Sequence, residues 1–479
     1  MFKFQSPFRV ANPTYHSGQV RSATERIHLW ISAVLLLVGG LLLLPNLASA
    51  QSAPAPAQLE RYIDVALGHN PDMQAARSRW KQSDARVDQA NSNLWPKIDV
   101  TSTYTNFTGG RVITLPGLGS FSTAKIGVVP WDNSIGATWN IFNYAVWEGT
   151  KATKAYLAAA TSELSSRELG VAYQVSDAYY SYAKATELVA VRENAVQLAR
   201  QSLSTAQSLF KVDKAPKNDV LRAEVAVASS RGDLLSAKNM QNLARTNFNN
   251  LLKRNAGEEI ELPSQEAMLE TSRSNRDLAM NDDTTQSIES TTYEQDLEQA
   301  YHNRPDLAQL SQAQEAVNGL RAVSFADNIP NLALFARYGW QEDQLKFSSD
   351  ADYLAAGVTL RWNLFTGGNT RAKVAENDAQ MEEIEFQKES AMSGIRLELQ
   401  NARLERQNAR ERHSIAIIQL QSAEENQRIT KAQYDAGMAP LITMIDAQTT
   451  LANAKANLTV TTFDVLLAEA KYRKALGLR

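Results

Sequence analysis

The residue types that most often carry catalysis are sparse in this sequence and badly spaced for it. After residue 50 the histidines are His69, His302 and His413, too far apart for a metal-ligand spacing, and His413 sits mid-helix among charged residues, as a solvated or seam histidine would. The chain has no cysteine, which removes thiolate nucleophiles, disulfides, thiolate metal sites and the acylated cysteine of a lipoprotein. It has no Ser-His-Asp signature, Walker loop or dinucleotide fingerprint. Acidic pairs such as Glu382-Glu383 fall on helical runs and read as solvated faces rather than acid/base dyads. What remains is electrostatic. Asp219 and Asp446 each follow an Ala-Pro dipeptide, Ala215-Pro216 and Ala439-Pro440, and a carboxylate in the first turn of a helix is favoured by its dipole. No catalytic residue, metal ligand or cofactor site is expected, so energy for any work must come from a partner.

The elements that hold these residues emerge from an internal duplication. Ala66, Pro71, Asp72, Pro96 and Tyr104 recur 234 positions later as Ala300, Pro305, Asp306, Pro330 and Tyr338. Trp139-Asn140-Ile141-Phe142 recurs as Trp362-Asn363-Leu364-Phe365. Phe210, Ala215-Pro216, Ala223, Leu234, Ala244, Phe248 and Leu252 recur 224 positions later as Tyr434, Ala439-Pro440, Ala447, Leu458, Ala468, Tyr472 and Leu476. The expected layout is a first repeat over 51–254 and a second over 296–479, joined by a Ser-, Asn- and Asp-rich linker at 255–295. Each repeat reads as a helical stretch (57–94; 296–327), a β-hairpin (97–143; 330–366) and a long helical hairpin (144–253; 369–476). The first helix of each hairpin would run roughly 100 Å at 1.5 Å per residue. Lys211, Lys214 and Lys217 at the first turn read as a solvated tip.

The strands alternate with period two. Ile98, Val100 and Tyr104 oppose Asp99, Thr101 and Thr103, and Ile135, Ala137, Trp139 and Ile141 oppose Gly136, Thr138 and Asn140. Leu332, Leu334, Ala336 and Tyr338, then Val358, Leu360, Trp362 and Leu364, repeat the pattern. Trp95, Trp131, Trp139, Trp147, Trp340 and Trp362 all lie in or beside these windows, as in the aromatic girdles of membrane barrels; the alternative is a soluble β-core. Four strands cannot close in lipid alone, so copies must combine: two would supply 8 strands and three would supply 12. Small-residue seams such as Ala152, Ala155, Ala158 and Ala159 amid polar residues suit a coiled-coil wall facing water.

Residues 1–50 read as a secretory signal: Arg21, Arg26 and His28, the apolar run Leu29 to Leu44, Pro45, and the cleavage pattern Ala48-Ser49-Ala50. The alternative is an uncleaved inner-membrane anchor. The 49 basic and 52 acidic residues include Lys3, Arg9, Arg21, Arg26 and Glu25 in that segment, so the remainder carries about −6 net charge, which argues against a nucleic-acid partner.

Taken together, the Asn70-Pro71 helix start, the Trp-Asn-Ile/Leu-Phe strand ends and the Tyr434-Asp435-Ala436-Gly437 turn followed by Ile445-Asp446-Ala447-Gln448 resemble the TolC-like outer-membrane efflux proteins. The resemblance covers nearly the whole chain after residue 50. It implies an α+β membrane protein: a homotrimer in outer-membrane lipid, with a shared 12-stranded β-barrel and a long periplasmic α-helical coiled-coil barrel. Such a protein conducts molecules to the exterior as part of a tripartite efflux pump or type I secretion system. The implied partners are a periplasmic adaptor and an inner-membrane transporter, either proton-driven (RND) or ATP-driven (ABC). The two turns, with Asp213, Ala215 and Pro216 in one and Gly437, Ala439 and Pro440 in the other, become the periplasmic tip and adaptor contact. Asp446 becomes part of the closed entrance, with Asp219 a further candidate and Thr443 standing where the family has a second acid. Trp139, Trp340, Trp362 and Tyr338 become the membrane girdle. Asp213 in place of glycine suggests a first tip shaped differently from the second. A periplasmic coiled-coil spacer or adaptor without a pore is the alternative; it would not need duplicated amphipathic strands.

Overall fold

The computed structural model describes residues 55–105, 112–115, 119–122, 131–263, 292–342 and 352–479, all within the unit Pro54–Arg479; the signal sequence expected over 1–50 lies outside them. The helical stretch that opens each repeat is two helices rather than one. α1 (Ala55–His69) and α2 (Pro71–Ser92) break at Asn70, whose side-chain oxygen accepts the Asp72 N–H at 2.8 Å. α5 (Tyr293–Asn303) and α6 (Pro305–Phe325) break at Arg304. The cause is Pro71 and Pro305, which lack an N–H and are placed where a helix has no use for one, at its first position.

The main sheet contains β1 (Lys97–Tyr104), β4 (Trp131–Phe142), β5 (Asn331–Glu342) and β6 (Asp352–Arg361), all antiparallel in the order β1-β4-β5-β6. The Gly/Pro-rich stretch after β1 carries a further small hairpin, β2 (Val112–Leu115) with β3 (Gly119–Ser122). Register puts Val100, Ile135, Tyr338 and Leu354 in one row and Ile98, Ala137, Ala336 and Ala356 in the next. These two rows make one face apolar from edge to edge, with Ser102, Asn133, Trp340 and Asp352 forming the next row, while the other face carries Asp99, Thr101, Asp132, Ser134, Thr138, Arg337 and Thr359. The apolar face is uncovered: Ile98 is 76 % exposed, Val100 74 % and Leu354 75 %. A continuous bare apolar face of this size is what lipid, not water, tolerates. Among the described residues no helix is long and apolar enough to cross a membrane.

Strands pass directly into helices. β4 leads into α3 (Tyr144–Lys211, 68 residues) and α4 (Lys217–Leu251); β6 leads into α7 (Asn369–Asp435, 67 residues) and α8 (Leu441–Ala475). α3 packs against α4 and α8, and α8 against α7, so the four lie side by side as α4-α3-α8-α7. Small residues allow the close approaches: Gly319 of α6 lies on Ala152 of α3, where an added Cβ would come within 2.7 Å.

Each repeat has its own core where its short helices dock on the long hairpin. In the first, Tyr62, Tyr179 and Phe248 stack with ring centroids 5.1–5.9 Å apart above Val171, Val175 and Ala178. Ile260 joins them and the Glu261 N–H donates to Tyr62 Oη, so the start of the expected linker is packed down; 264–291 lies outside the described residues. In the second, Ile395, Leu399 and Ala402 occupy the positions of Val171, Val175 and Ala178 and pack with Leu307, Ala300 and Leu476, but an ionic cluster stands where the first has its aromatic rings. Buried Asp296 accepts from Arg403 at 2.6 Å and from Tyr472 Oη at 2.8 Å, and the Arg406 guanidinium lies 4.2 Å over the Tyr472 ring. Beside it, Arg304 donates to Asp306 at 2.8 Å and to Glu398 at 2.7 Å. Burial is the largest single influence and pushes both carboxyls up, but the hydrogen bonds and the charge of Arg304, joined by backbone N–H groups at Asp306 and by Lys474 at Glu398, together hold them below the usual carboxylate range.

Both ends of each helical hairpin use one capping motif. Asp213 (φ 55°) and Gly437 (φ 71°) end the long helices, and Lys253 (φ 57°) and Gly477 (φ 77°) end the return helices, all left-handed. At the first turn Lys214 N–H donates to Leu209 O at 2.8 Å and Asp213 N–H to Phe210 O at 3.0 Å; at the second Met438 N–H donates to Gln433 O at 2.8 Å and Gly437 N–H to Tyr434 O at 2.9 Å. The difference expected at the first tip is absent, because Asp213 accepts the left-handed conformation that glycine takes in the second repeat. Gly477 is needed twice over, since a Cβ there would also meet the Asn303 carbonyl at 2.9 Å.

Two outcomes follow for the detergent-solubilised protein. Lys253→Gly relieves left-handed strain and raises stability by about 0.5–1 kcal/mol, whereas Gly477→Ala lowers it by ~1–3 kcal/mol, read as shifts of the thermal midpoint. For the Arg304 group, both carboxyls titrate lower when folded, so their stabilisation is present above the ordinary carboxylate range and is lost as pH falls through their lowered values. Arg304→Met should therefore lower the thermal midpoint at pH 7 and differ less from the wild type near pH 3.

Candidate functional site

The tip of the helical wall is built from the two hairpin turns, and the structure brings them together. Ala206 and Ala223 of the first hairpin are fully buried against Leu441 of the second, with Leu203, Val220, Tyr434 and Ile445 around them. Pro216 and Pro440 precede the return helices in the same extended conformation, φ/ψ −72/151° and −73/157°. Ala215 and Ala439 are half-buried under the turns, while Asp213, Gly437, Lys211, Lys214 and Lys217 are exposed.

On α8, Thr443, Asp446, Thr450, Asn453 and Asn457 are all exposed at helical spacing, a polar stripe about 100° round the helix from the buried Met444, Ala447, Leu451 and Ala454. The Thr443 hydroxyl donates to Pro440 O at 2.7 Å and so closes the start of the helix. Asp446 lies in the second turn, not the first, so the helix dipole does not account for it. Asp219 is in the first turn of α4, half-buried. It faces Tyr434, whose phenol burial pushes up, with Asp219 and Asp435 adding to the shift.

The 224-residue offset pairs Thr443 with Asp219 and Asp446 with Arg222. Arg222 is the residue that sequence reasoning passed over; carrying the duplication into the second turn past Pro216 would have found it. Both Arg222 and Asp446 are exposed, and neither has an ion-pair partner among the described residues of the protomer. Arg222 lines a groove of about 470 Å³ floored by α3 and walled by α4 and α8, with Leu221, Val225, Ile442 and Ile445 along it. Arg192 of α3 reaches Asn453 at 3.3 Å and Asp233 at 3.7 Å, tying the two return helices across the groove.

The aromatic candidates sit at the opposite end, in two bands. Trp139 Nε1–H donates to Leu94 O at 2.9 Å, and its repeat counterpart Trp362 donates to Asn328 O at 3.0 Å, so each indole ties a strand end to the close of the preceding helical segment. At the far ends of the strands, Tyr338 packs on Trp340 at 6.1 Å and donates to Asp352 at 2.9 Å, while Tyr104 packs on Trp131 at 5.0 Å. From Trp131 to Trp139 the strand spans roughly 27 Å, in keeping with the apolar band of an outer-membrane barrel once tilted. Among the described residues, no group of three or more His, Asp or Glu side chains is arranged to hold a metal ion.

Comparison with known proteins agrees with this geometry. The profile of the family described as "Outer membrane efflux protein" matches residues 62–252 and 297–478, the two repeats. The outer membrane protein TolC of Vibrio cholerae serotype O1 is 23 % identical over 441 residues, covering 90 % of this chain and 93 % of its own. The outer membrane protein VceC of Vibrio cholerae superposes with a TM-score of 0.68 at 19 % identity, covering 88 % of this chain and 96 % of that one. The MtrE outer membrane channel of Neisseria gonorrhoeae, in its open state, gives 0.67 at 17 % identity, covering 88 % and 89 %. With both repeats matched in order, the chain belongs to the outer membrane efflux protein family.

Proposed function

We propose that three copies of this chain close a 12-stranded barrel in the outer membrane and continue it as a helical duct through the periplasm. As an outer-membrane efflux channel the protein moves cargo rather than transforming it. The observation that carries the trimeric reading is the bare apolar sheet with two unpaired edges, fused to a helical layer whose own edges are also apolar. Leu221, Val225, Leu235 and Leu243 are exposed on α4, and Leu397, Leu404, Ile415 and Ile418 on α7, the outermost helices of the layer. Copies set side by side would cover both edges at once. A spacer without a pore has no use for the sheet.

The tip is the gate. Three-fold repetition puts Asp446 into a ring at the narrow end, with Thr443 a turn below it, and a carboxylate ring attracts cations. Arg222, without an ion-pair partner among the described residues, would pair with Asp446 of the partner subunit and hold the ring closed. The exposed turns carrying Asp213, Ala215, Pro216, Gly437, Ala439 and Pro440 are the docking surface for a periplasmic adaptor, which links the duct to an RND or ABC transporter in the inner membrane.

Single-channel conductance in planar bilayers tests this. The wild type should give small cation-selective steps. Asp446→Ala should give larger steps with cation preference reduced, and Arg222→Ala larger steps with the preference kept, because the carboxylate ring survives. Absence of conductance from all three, despite a folded oligomer, would overturn the channel reading in favour of a spacer.

A further inference from the structure

The sheet itself contains a template for the contact between copies. β1-β4 and β5-β6 are the same hairpin written twice, and they share a register: Val100 pairs with Ile135 in the first, and their counterparts Leu334 and Val358 pair in the second. The junction β4-β5 is therefore the place where the second strand of one repeat meets the first strand of the next, and its register is on view: Ile135 opposite Tyr338, Ala137 opposite Ala336, Trp139 opposite Leu334. The free edges of the protomer are β6, again a second strand, and β1, again a first strand. All eight residues of β1 are exposed within the protomer.

We infer that β6 pairs antiparallel with β1 of the partner subunit in the register of the β4-β5 junction. Val358 then lies opposite Tyr104 of the partner subunit, Leu360 opposite Ser102 of the partner subunit and Trp362 opposite Val100 of the partner subunit. This rests on the trimeric reading above and deepens it by fixing which residues meet. Val358, Leu360 and Trp362 stay on the lipid face, and Thr359 and Arg361 stay on the polar face, opposite Thr103 and Thr101 of the partner subunit. A slip of one residue would reverse the faces; a slip of two would break the rows of the junction that the repeat already uses.

The register has an electrostatic consequence on the polar face. Arg361 is one diagonal step from Asp99 of the partner subunit, and both side chains are exposed in the protomer. The same diagonal is already bridged within the sheet, where Tyr338 reaches Asp352 at 2.9 Å although it is paired with Leu354. Each seam between copies thus carries an Arg361–Asp99 pair facing the lumen.

A chain without cysteine makes the test clean. Two variants, Leu360→Cys with Ser102→Cys and Thr359→Cys with Thr103→Cys, are oxidised in outer-membrane vesicles and run on non-reducing gels. At least one should yield a covalent trimer, and the slipped pair Thr359→Cys with Thr101→Cys should not, because its Cα atoms lie too far apart for a disulfide. Independently, Arg361→Asp should abolish the detergent-resistant trimer band, and adding Asp99→Arg should restore it. Cross-linking by the slipped pair alone, or a folded trimer that links with none of the pairs, overturns the register while leaving the trimer standing. A protein of monomer mass throughout overturns both.

Discussion

A β-strand in lipid must have both edges paired, because no water is present to take its N–H and C=O groups. Four strands per chain cannot meet that condition, and most of the architecture follows from the shortfall. The sheet must close through copies of itself, so its two free strands have to be complementary. Duplication provides this without further design, since a repeat that fits its sequel within the chain also fits the first repeat of another chain. The helical layer inherits the same closure. Each main strand joins a helix in sequence, so a ring of strands implies a ring of helices, and the apolar residues left bare on α4 and α7 are the edges of that second ring.

Duplication also brings a hazard, which the two cores resolve. α1 docks on α3 and α4 through Tyr62, and α5 docks on α7 and α8 through Asp296, at corresponding positions. Were the cores alike, each short helix could seat on the wrong hairpin. An aromatic cluster in one and an ionic hub in the other make the exchange costly. Misdocked, Asp296 would be buried among Tyr179, Tyr182 and Phe248 without a cation, and Arg403 would face Tyr62 without a carboxylate; an unpaired buried charge costs about 3–5 kcal/mol. The ionic hub thus contributes less by its own strength than by what it forbids.

Much of this was legible in the sequence because the relevant signals are local and periodic. Strand faces, the tryptophan positions and the Ala-Pro turns each depend on spacing along the chain, and the duplication doubled every one of them. What escaped depends on contacts across the chain or on reading a local rule too loosely. The breaks at Asn70 and Arg304 were signalled by the prolines that follow, yet the apolar content on either side read as continuous helix. The β2-β3 hairpin was hidden because Gly and Pro in a loop do not show whether its flanks pair. The Arg304–Asp306–Glu398 cluster joins α6 to α7 over more than 90 residues, and spacing along one element cannot show it. Arg222 was missed for a different reason: Asp446 was compared with Asp219, the acid that follows the first Ala-Pro, whereas the 224-residue offset pairs it with a residue of opposite sign.

That change of sign bears on how a ring of helices can close at all. Two identical repeats in three chains would place six like charges at one height of the tip, and bringing them together would raise their mutual repulsion as the bore narrowed and water left. In the proposed trimer, Arg222 of one repeat and Asp446 of the other would alternate in sign around the axis, and the same narrowing would bring opposite charges together. Repulsion that would hold the tip open would thereby become attraction that holds it shut. The attraction would remain modest while the tip is wet, so in the proposed duct a force applied by a partner at the exposed turns would part the charges again.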